Sequence, residues 1–258
     1  MRVWMSVVMS LMVVSSASAG ALLPDLTAVS SRVRGFMYDG SFDLDVVPGR
    51  VIFRFSTAIP NIGDGPFEVY EETDEQSTQT VYQHIYQEDG SYERVVMGVF
   101  EDAHPHFGHL YLVGLARYSL LEAVPDGDAY RVGDVVATKL KTSQALVDST
   151  FWDLSLPNAS PKAVYQDYRA PILGVSVGWL DLYFNGIPEQ WIDVTGVPSG
   201  TYWLEVEVDP SDYVRETDET NNVHRVLVSL DIPEVPEPSS GVVLGLALLT
   251  RCRRRILP

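Results

Sequence analysis

Apolar residues alternate with polar ones in short runs along this chain, and no long window repeats with the period of a helix. The clearest run is "GTYWLEVEVDP". Tyr202, Leu204, Val206 and Val208 share one face, and Glu205, Glu207 and Asp209 share the other, which is the two-residue period of a half-buried strand. "VHRVLVSLDI" follows as a second strand. Upstream, "RVIFRFSTAIPNIGDGPFEVY" reads as two β-rich segments around a turn region rich in Pro, Asn and Gly. "TVYQHIYQEDGSYERVVMGVF" carries a hairpin signal at Asp89-Gly90. The acidic, polar stretch "YEETDEQSTQT" reads as a solvated loop. With no internal repeat, the pattern predicts an all-β chain, a single sandwich-like domain with long loops.

Both ends differ from this middle. Residues 1–19 hold one Arg, an apolar run broken by serines, and Ala17-Ser18-Ala19. That is the layout of a secretory signal with its cleavage site, so the domain is expected over residues 20–232 as an exported protein. At residues 233–258 a Pro-Glu-Pro motif (Pro236 to Pro238) precedes a short apolar run and then Arg251, Arg253, Arg254 and Arg255. The run is short for a stable span, and the arginines would hold it on the cytoplasmic side. This tail is similar to the bacterial Pro-Glu-Pro (PEP-CTERM) sorting signal. That resemblance implies transient membrane insertion, a sorting transpeptidase as partner, and a final place at the cell surface or in the extracellular matrix. An ordinary tail anchor predicts the same topology but leaves the protein on the membrane.

The chain carries 35 acidic against 18 basic side chains. The excess is steeper still once Arg2 and the four tail arginines are set aside. Nucleic acid is excluded as a natural partner of such a surface, while a cationic substrate or a divalent ion suits it. The one cysteine, Cys252, sits in the basic tail. The domain therefore has no disulfide, and its stability rests on its core, a bound ion or a covalent cross-link of another kind.

Four segments in order carry a resemblance: "LPDLTAV", "HPHFGHLYLVGLARYSL", "KTSQALVDST" from Lys141, and the long stretch from Gly174 to Asn222. The last is the most specific. It strings together Gly-x-Ser-x-Gly-x-x-Asp-x-Tyr, Gln-Trp-Ile-Asp, Gly-x-Tyr and Glu-x-Asp-x-x-Asn-Asn. Together they resemble the catalytic domain of the lysyl oxidases in its bacterial version. The resemblance implies a copper amine oxidase that converts the ε-amine of peptidyl lysine to an aldehyde, releasing ammonia and hydrogen peroxide. It implies a lysine tyrosylquinone cofactor made from the chain's own side chains, with Lys141 and Tyr183 at the matching positions. A phenol can be oxidised to a quinone beside copper and oxygen. A lysine amine adds to that ring only when unprotonated, so its ordinary pKa of about 10.4 has to fall. The partner implied is a lysine-rich protein or other amine substrate.

The resemblance also implies calcium, on Asp25, the Leu26 carbonyl, Glu216, Asp218, Asn221 and Asn222. Oxygen donors of this kind suit that ion, and it would tie the first strand to the last loop. The copper ligands are less direct. The family pattern is His-x-His-x-His, which places three imidazoles on one face of an extended strand. Here the histidines are His104, His106 and His109. In one register only His109 survives as a ligand, with Phe107 and Tyr111 at the flanking positions. In a slipped register all three hold copper, provided a bulge at Gly108 re-aims His109. His84 and His224 read as surface or strand histidines. The copper site is thus either working or degenerate. In the degenerate case the domain is a non-catalytic module, a reading also suggested by the likeness of "GTYWLEVEVDPSDYVRETDETNN" to adhesion-type β-sandwich modules.

Overall fold

The computed structural model describes residues 20–29, 40–73, 79–100, 112–142 and 146–235. The expected signal (1–19), almost all of the sorting tail and the His104–His109 segment lie outside the described residues. Within them there are fifteen strands and no helix, and hence no helix long and apolar enough to cross a membrane. In chain order these are β1 (Ala21–Leu22), β2 (Ser41–Asp43), β3 (Ile52–Arg54), β4 (Thr57–Pro60), β5 (Phe67–Thr73), β6 (Gln79–Gln87), β7 (Tyr92–Phe100) and β8 (Val113–Asp126). They continue as β9 (Ala129–Thr142), β10 (Thr150–Phe151), β11 (Ile172–Val175), β12 (Trp179–Tyr183), β13 (Trp191–Asp193), β14 (Gly200–Val208) and β15 (Val223–Leu230).

The strands form four sheets, and every pairing is antiparallel. One runs β15-β14-β8-β9 and a second β1-β6-β5-β11 with β7 on the far side of β6. Two small sheets, β10-β12-β4 and β13-β3-β2, complete the domain. The result is the all-β, sandwich-like domain that the alternating pattern predicts. Tyr202, Leu204, Val206 and Val208 of β14 are all buried. Glu205 on the opposite face accepts a hydrogen bond from Arg225 on β15 (2.6 Å). A run of aromatic contacts joins the sheets through the core: Phe53 to Phe55 at 5.6 Å and Phe55 to Tyr118 at 5.0 Å, the second in the edge-to-face arrangement that aromatic pairs favour.

One turn expectation holds and one loop expectation needs adjusting. The Asp89-Gly90 turn does join β6 to β7, with Gly90 at φ +81° and its N–H donating to Gln87 O (2.9 Å). In the acidic stretch before β6, Tyr70–Thr73 continue β5 and Gln79-Thr80 already belong to β6, while residues 74–78 lie outside the described residues. The strand tolerates these charges because they are paired. Arg94 of β7 donates to Glu72 (2.7 Å) and lies over the rings of Tyr70 and Tyr82.

The Gly-x-Ser-x-Gly motif is scaffold. Gly174 lies so close to β5 that a Cβ would stand 2.4 Å from Phe67 O. The Ser176 N–H and hydroxyl both donate to the buried Asp148 carboxylate (2.8 Å each). Gly178 turns the chain at φ +78°, with Asp153 O 2.6 Å from where a Cβ would sit. Only glycine adopts that conformation without strain. This turn starts β12, the strand that carries the Asp and Tyr of the same motif.

Candidate active site

Strand alternation aims the chemistry inward from two directions. On β9, Lys139 and Lys141 face in, and Leu140 between them is 53% exposed. On β12, Asp181 and Tyr183 face in. β12 is held beside β4, with Tyr183 opposite Thr57. These elements bring Lys141 and Tyr183 together although 42 positions separate them in the chain. Both are buried, at 2% and 1% exposure, and the Lys141 Nζ lies 3.6 Å from the centre of the Tyr183 ring, over its face. A nucleophile adds to a ring π-system from above its plane, so this amine stands on the productive side.

A polar ring holds the amine there. The side chain of Gln190, fully buried, donates from Nε2 to Phe55 O (3.0 Å) and Thr57 Oγ1 (3.2 Å). Thr57 is bonded to the Tyr118 hydroxyl (3.1 Å), which donates back to Gln190 Oε1 (3.0 Å). Each bond in such a cycle polarises the next. The same Oε1 accepts from Lys141 Nζ at 3.3 Å. Beside it, Lys139 is tied back over the Trp191 ring at 3.1 Å and donates to Glu189 Oε2 (2.7 Å) and Glu189 O (3.1 Å).

The electrostatics follow from burial. Loss of solvent lowers the Lys141 amine from its ordinary 10.5 to about 7; the Asp181 carboxylate opposes the shift and the Lys139 charge adds to it. A large share of the amine is therefore unprotonated and nucleophilic at neutral pH. Burial raises Asp181 from 3.8 to about 6, held back by hydrogen bonds from Tyr183, Ser149 and the Leu182 N–H and by the Lys141 charge. The Tyr183 hydroxyl donates to Asp181 Oδ2, and Ser149 Oγ donates to Oδ1 (3.1 Å).

The calcium set expected from the sequence is also brought together, where the first strand's continuation meets the loop after β14. Leu26 N–H donates to Glu216 Oε2 (2.6 Å), Asn222 Nδ2 to Glu216 Oε1 (2.6 Å) and Asn221 Nδ2 to Asp25 Oδ1 (2.8 Å). The Asn221 and Asn222 side-chain oxygens are buried with no hydrogen-bond partner. Burial raises the proton affinity of both Asp25 and Glu216. Asp218 stands near enough to Asp25 for its charge to raise that carboxyl, while its own Oδ1 accepts from the Thr220 N–H (2.9 Å) and hydroxyl (2.6 Å). A second carboxylate group, Asp209, Asp212 and Glu219, has oxygens within 4.8 Å of one another close by.

The histidines divide the same way. His104, His106 and His109 lie outside the described residues. They fall between β7, which ends at Phe100, and the buried Leu112, from which β8 leads to Tyr118 in the site wall. His84 is a strand histidine on β6, buried and bonded through Nδ1 to Glu68 (2.6 Å). His224 is a strand histidine on β15 whose buried Nε2 has no partner. The residues the sequence pattern left without a role are Asp181, Ser149, Gln190, Tyr118 and Thr57. All but Thr57 stand inside the segments that carry the resemblance, so the signal for them was present without its meaning.

Known proteins match parts of this chain. The curated relatives include lysyl oxidase homolog 2 of Gallus gallus, 46% identical over 125 residues, which are 48% of this chain and 14% of that protein. Protein-lysine 6-oxidase of Homo sapiens is 52% identical over 52 residues, 20% of this chain and 12% of that protein. Lysyl oxidase homolog 3A of Danio rerio is 48% identical over 52 residues, 20% of this chain and 7% of that protein. The matched part of this chain thus spans a small fraction of these relatives. The family model described as lysyl oxidase matches residues 99–235, just over half of the 258 residues, and includes Lys141, Tyr183 and the carboxylates of the last loop. The chain belongs to the lysyl oxidase family.

Proposed function

We propose that this protein is a copper-dependent amine oxidase acting on protein lysine, with a quinone built from Lys141 and Tyr183. One observation carries the reading: a buried lysine amine of lowered basicity stands 3.6 Å over the face of a buried tyrosine ring. An ordinary structural lysine is rare in such a place, because burying its charge is costly. Copper, assigned by resemblance to His104, His106 and His109, would supply the redox chemistry with oxygen that turns the phenol into a quinone. The chain's own residues do the rest. Gln190 holds the amine over the ring, burial keeps much of it unprotonated, and the closed core excludes water from the reacting atoms.

Calcium is proposed at the junction of Asp25, Glu216, Asn221 and Asn222. Two buried amide oxygens without partners and two carboxylates of raised proton affinity are what a hard cation would relieve there. The substrate is proposed to be a lysine-rich protein segment or another amine, drawn to the acidic surface. Export through residues 1–19 and sorting through residues 233–258 complete the reading, with the cell surface or matrix as destination.

The test is peroxide release from a lysine-containing peptide by copper-loaded protein, beside Tyr183→Phe and Lys141→Met. The reading expects turnover in the parent and none in either variant. A variant as active as the parent would overturn it.

A further inference from the structure

Asp181 is not explained by folding alone. It is 2% exposed in an all-β core, where a carboxylate loses its solvation and has to be held by specific donors. Its two oxygens are divided between two tasks. Oδ1 accepts from Ser149 Oγ (3.1 Å), on the segment just before β10. Oδ2 accepts from the hydroxyl of Tyr183, the residue two positions on along the same face of β12. Ser149 is itself fixed. Its N–H donates to Leu180 O (3.0 Å), and its Oγ accepts from the Leu182 N–H (3.0 Å). The carboxylate is therefore locked in one orientation, with one oxygen against the phenol of the reacting ring and the Lys141 amine on the ring's face.

We propose that Asp181 is the base that takes the phenolic proton of Tyr183 when that ring is converted to the cofactor, with Ser149 positioning the carboxylate for the transfer. This rests on the reading of Lys141 and Tyr183 as cofactor precursors. In the step, the Tyr183 O–H bond breaks, its electron pair stays on the phenol oxygen, and the proton bonds to Asp181 Oδ2. No electrons leave the pair, so the transfer needs no oxidant; copper, if held by His104, His106 and His109, would supply the oxidising chemistry that an electron-rich phenolate undergoes more readily. The ionised ring is more easily oxidised than the phenol. Ring and amine are then matched at one pH: Asp181 is ionised above about 6, and Lys141 loses its proton near 7. A general base so placed is worth on the order of 100-fold or more in rate.

Two experiments test this. In copper-free protein carrying tyrosine labelled with ¹³C at Cζ, on a Lys141→Met parent so that the amine over the ring no longer titrates, the Tyr183 resonance should titrate with an inflection near the Asp181 transition, and Asp181→Asn should remove it. A Tyr183 shift that is flat in the parent, or that keeps its inflection in Asp181→Asn, overturns the proposal without reference to copper. In copper-loaded protein, appearance of the Lys141–Tyr183 cross-linked peptide should be on the order of 100-fold slower in Asp181→Asn, with its low-pH limb gone and copper uptake unchanged. Ser149→Ala should slow it less and Asp181→Glu should recover part of the rate. A parent that cross-links and an Asp181→Asn variant that cross-links at the same rate and pH profile would refute the role of Asp181 alone. A parent that never cross-links refutes the precursor reading and the proposal with it.

Discussion

Replacing Lys141 by Met removes the one buried amine of the site and should change how stability depends on pH. In the folded, copper-free protein burial lowers this amine from 10.5 to about 7. Between those values the unfolded chain binds a proton that the folded chain does not. Unfolding free energy of the parent therefore rises with pH across that interval. Below about 7 the cost of burying the charge is fully present; near 10.5 it is gone. The full difference of about 3.5 pKa steps amounts to about 5 kcal/mol, of which about 3 kcal/mol should develop between about pH 7 and about pH 9.5. At 2% exposure solvent screens little of it. The assay is urea unfolding of copper-free parent and Lys141→Met at several pH values. Met keeps the volume and carries no proton; groups away from Lys141 cancel in the difference, and Asp181, coupled to Lys141 with its transition near 6, titrates mainly below the interval read. Lys141→Met should be the more stable at neutral pH, and the parent should close the gap by about 3 kcal/mol as pH rises. Parallel curves over that range would show that Lys141 titrates as an exposed lysine does, and the account of a nucleophilic amine would fall.

Tyr183→Phe should cost about 1–3 kcal/mol, because it leaves the buried Asp181 oxygen without its donor; thermal unfolding equal to the parent's would contradict that contact. Calcium should raise the unfolding temperature relative to chelator-treated protein. Its affinity should grow as pH rises, since the ion favours the ionised forms of Asp25 and Glu216, whose proton affinities are raised without it. Calorimetric titration at two pH values reads this, and equal affinity at both would remove these carboxylates from the site. Gly178→Ala should destabilise by about 1–3 kcal/mol, from φ +78° and the clash with Asp153 O; an unchanged denaturation midpoint would refute the close approach.

Much of the fold was legible because alternation was regular where one face meets the core, as on β14. The β5–β6 stretch is not legible because a run of charged side chains reads as a solvated loop when its cross-strand partners are unseen. Glu72 instead sits in a strand, answered across the sheet by Arg94 and the stacked tyrosines. His84 was legible as a strand residue, but its burial against Glu68 was not, because the partner lies on a neighbouring strand 16 positions away. In the site, Lys141 and Tyr183 were legible only through their motif neighbours, since no local pattern states that β9 and β12 converge. Asp181 and Gln190 were visible as letters. Their roles depend on three-dimensional partners, Ser149 and Tyr183 for one and Thr57, Tyr118 and Lys141 for the other. That Asp25, Glu216, Asn221 and Asn222 meet was legible only through the resemblance, and the turn in which Asp218 Oδ1 accepts from Thr220 is a local hydrogen bond that acidic side chains form readily.

Peptide mapping by mass spectrometry of the domain, folded with copper and oxygen, tests the central claim most directly. The account predicts a single oxidised, cross-linked pair joining the peptides that contain Lys141 and Tyr183. Recovery of both peptides unmodified from copper-loaded protein would contradict it, and would leave a non-catalytic domain on a lysyl oxidase scaffold.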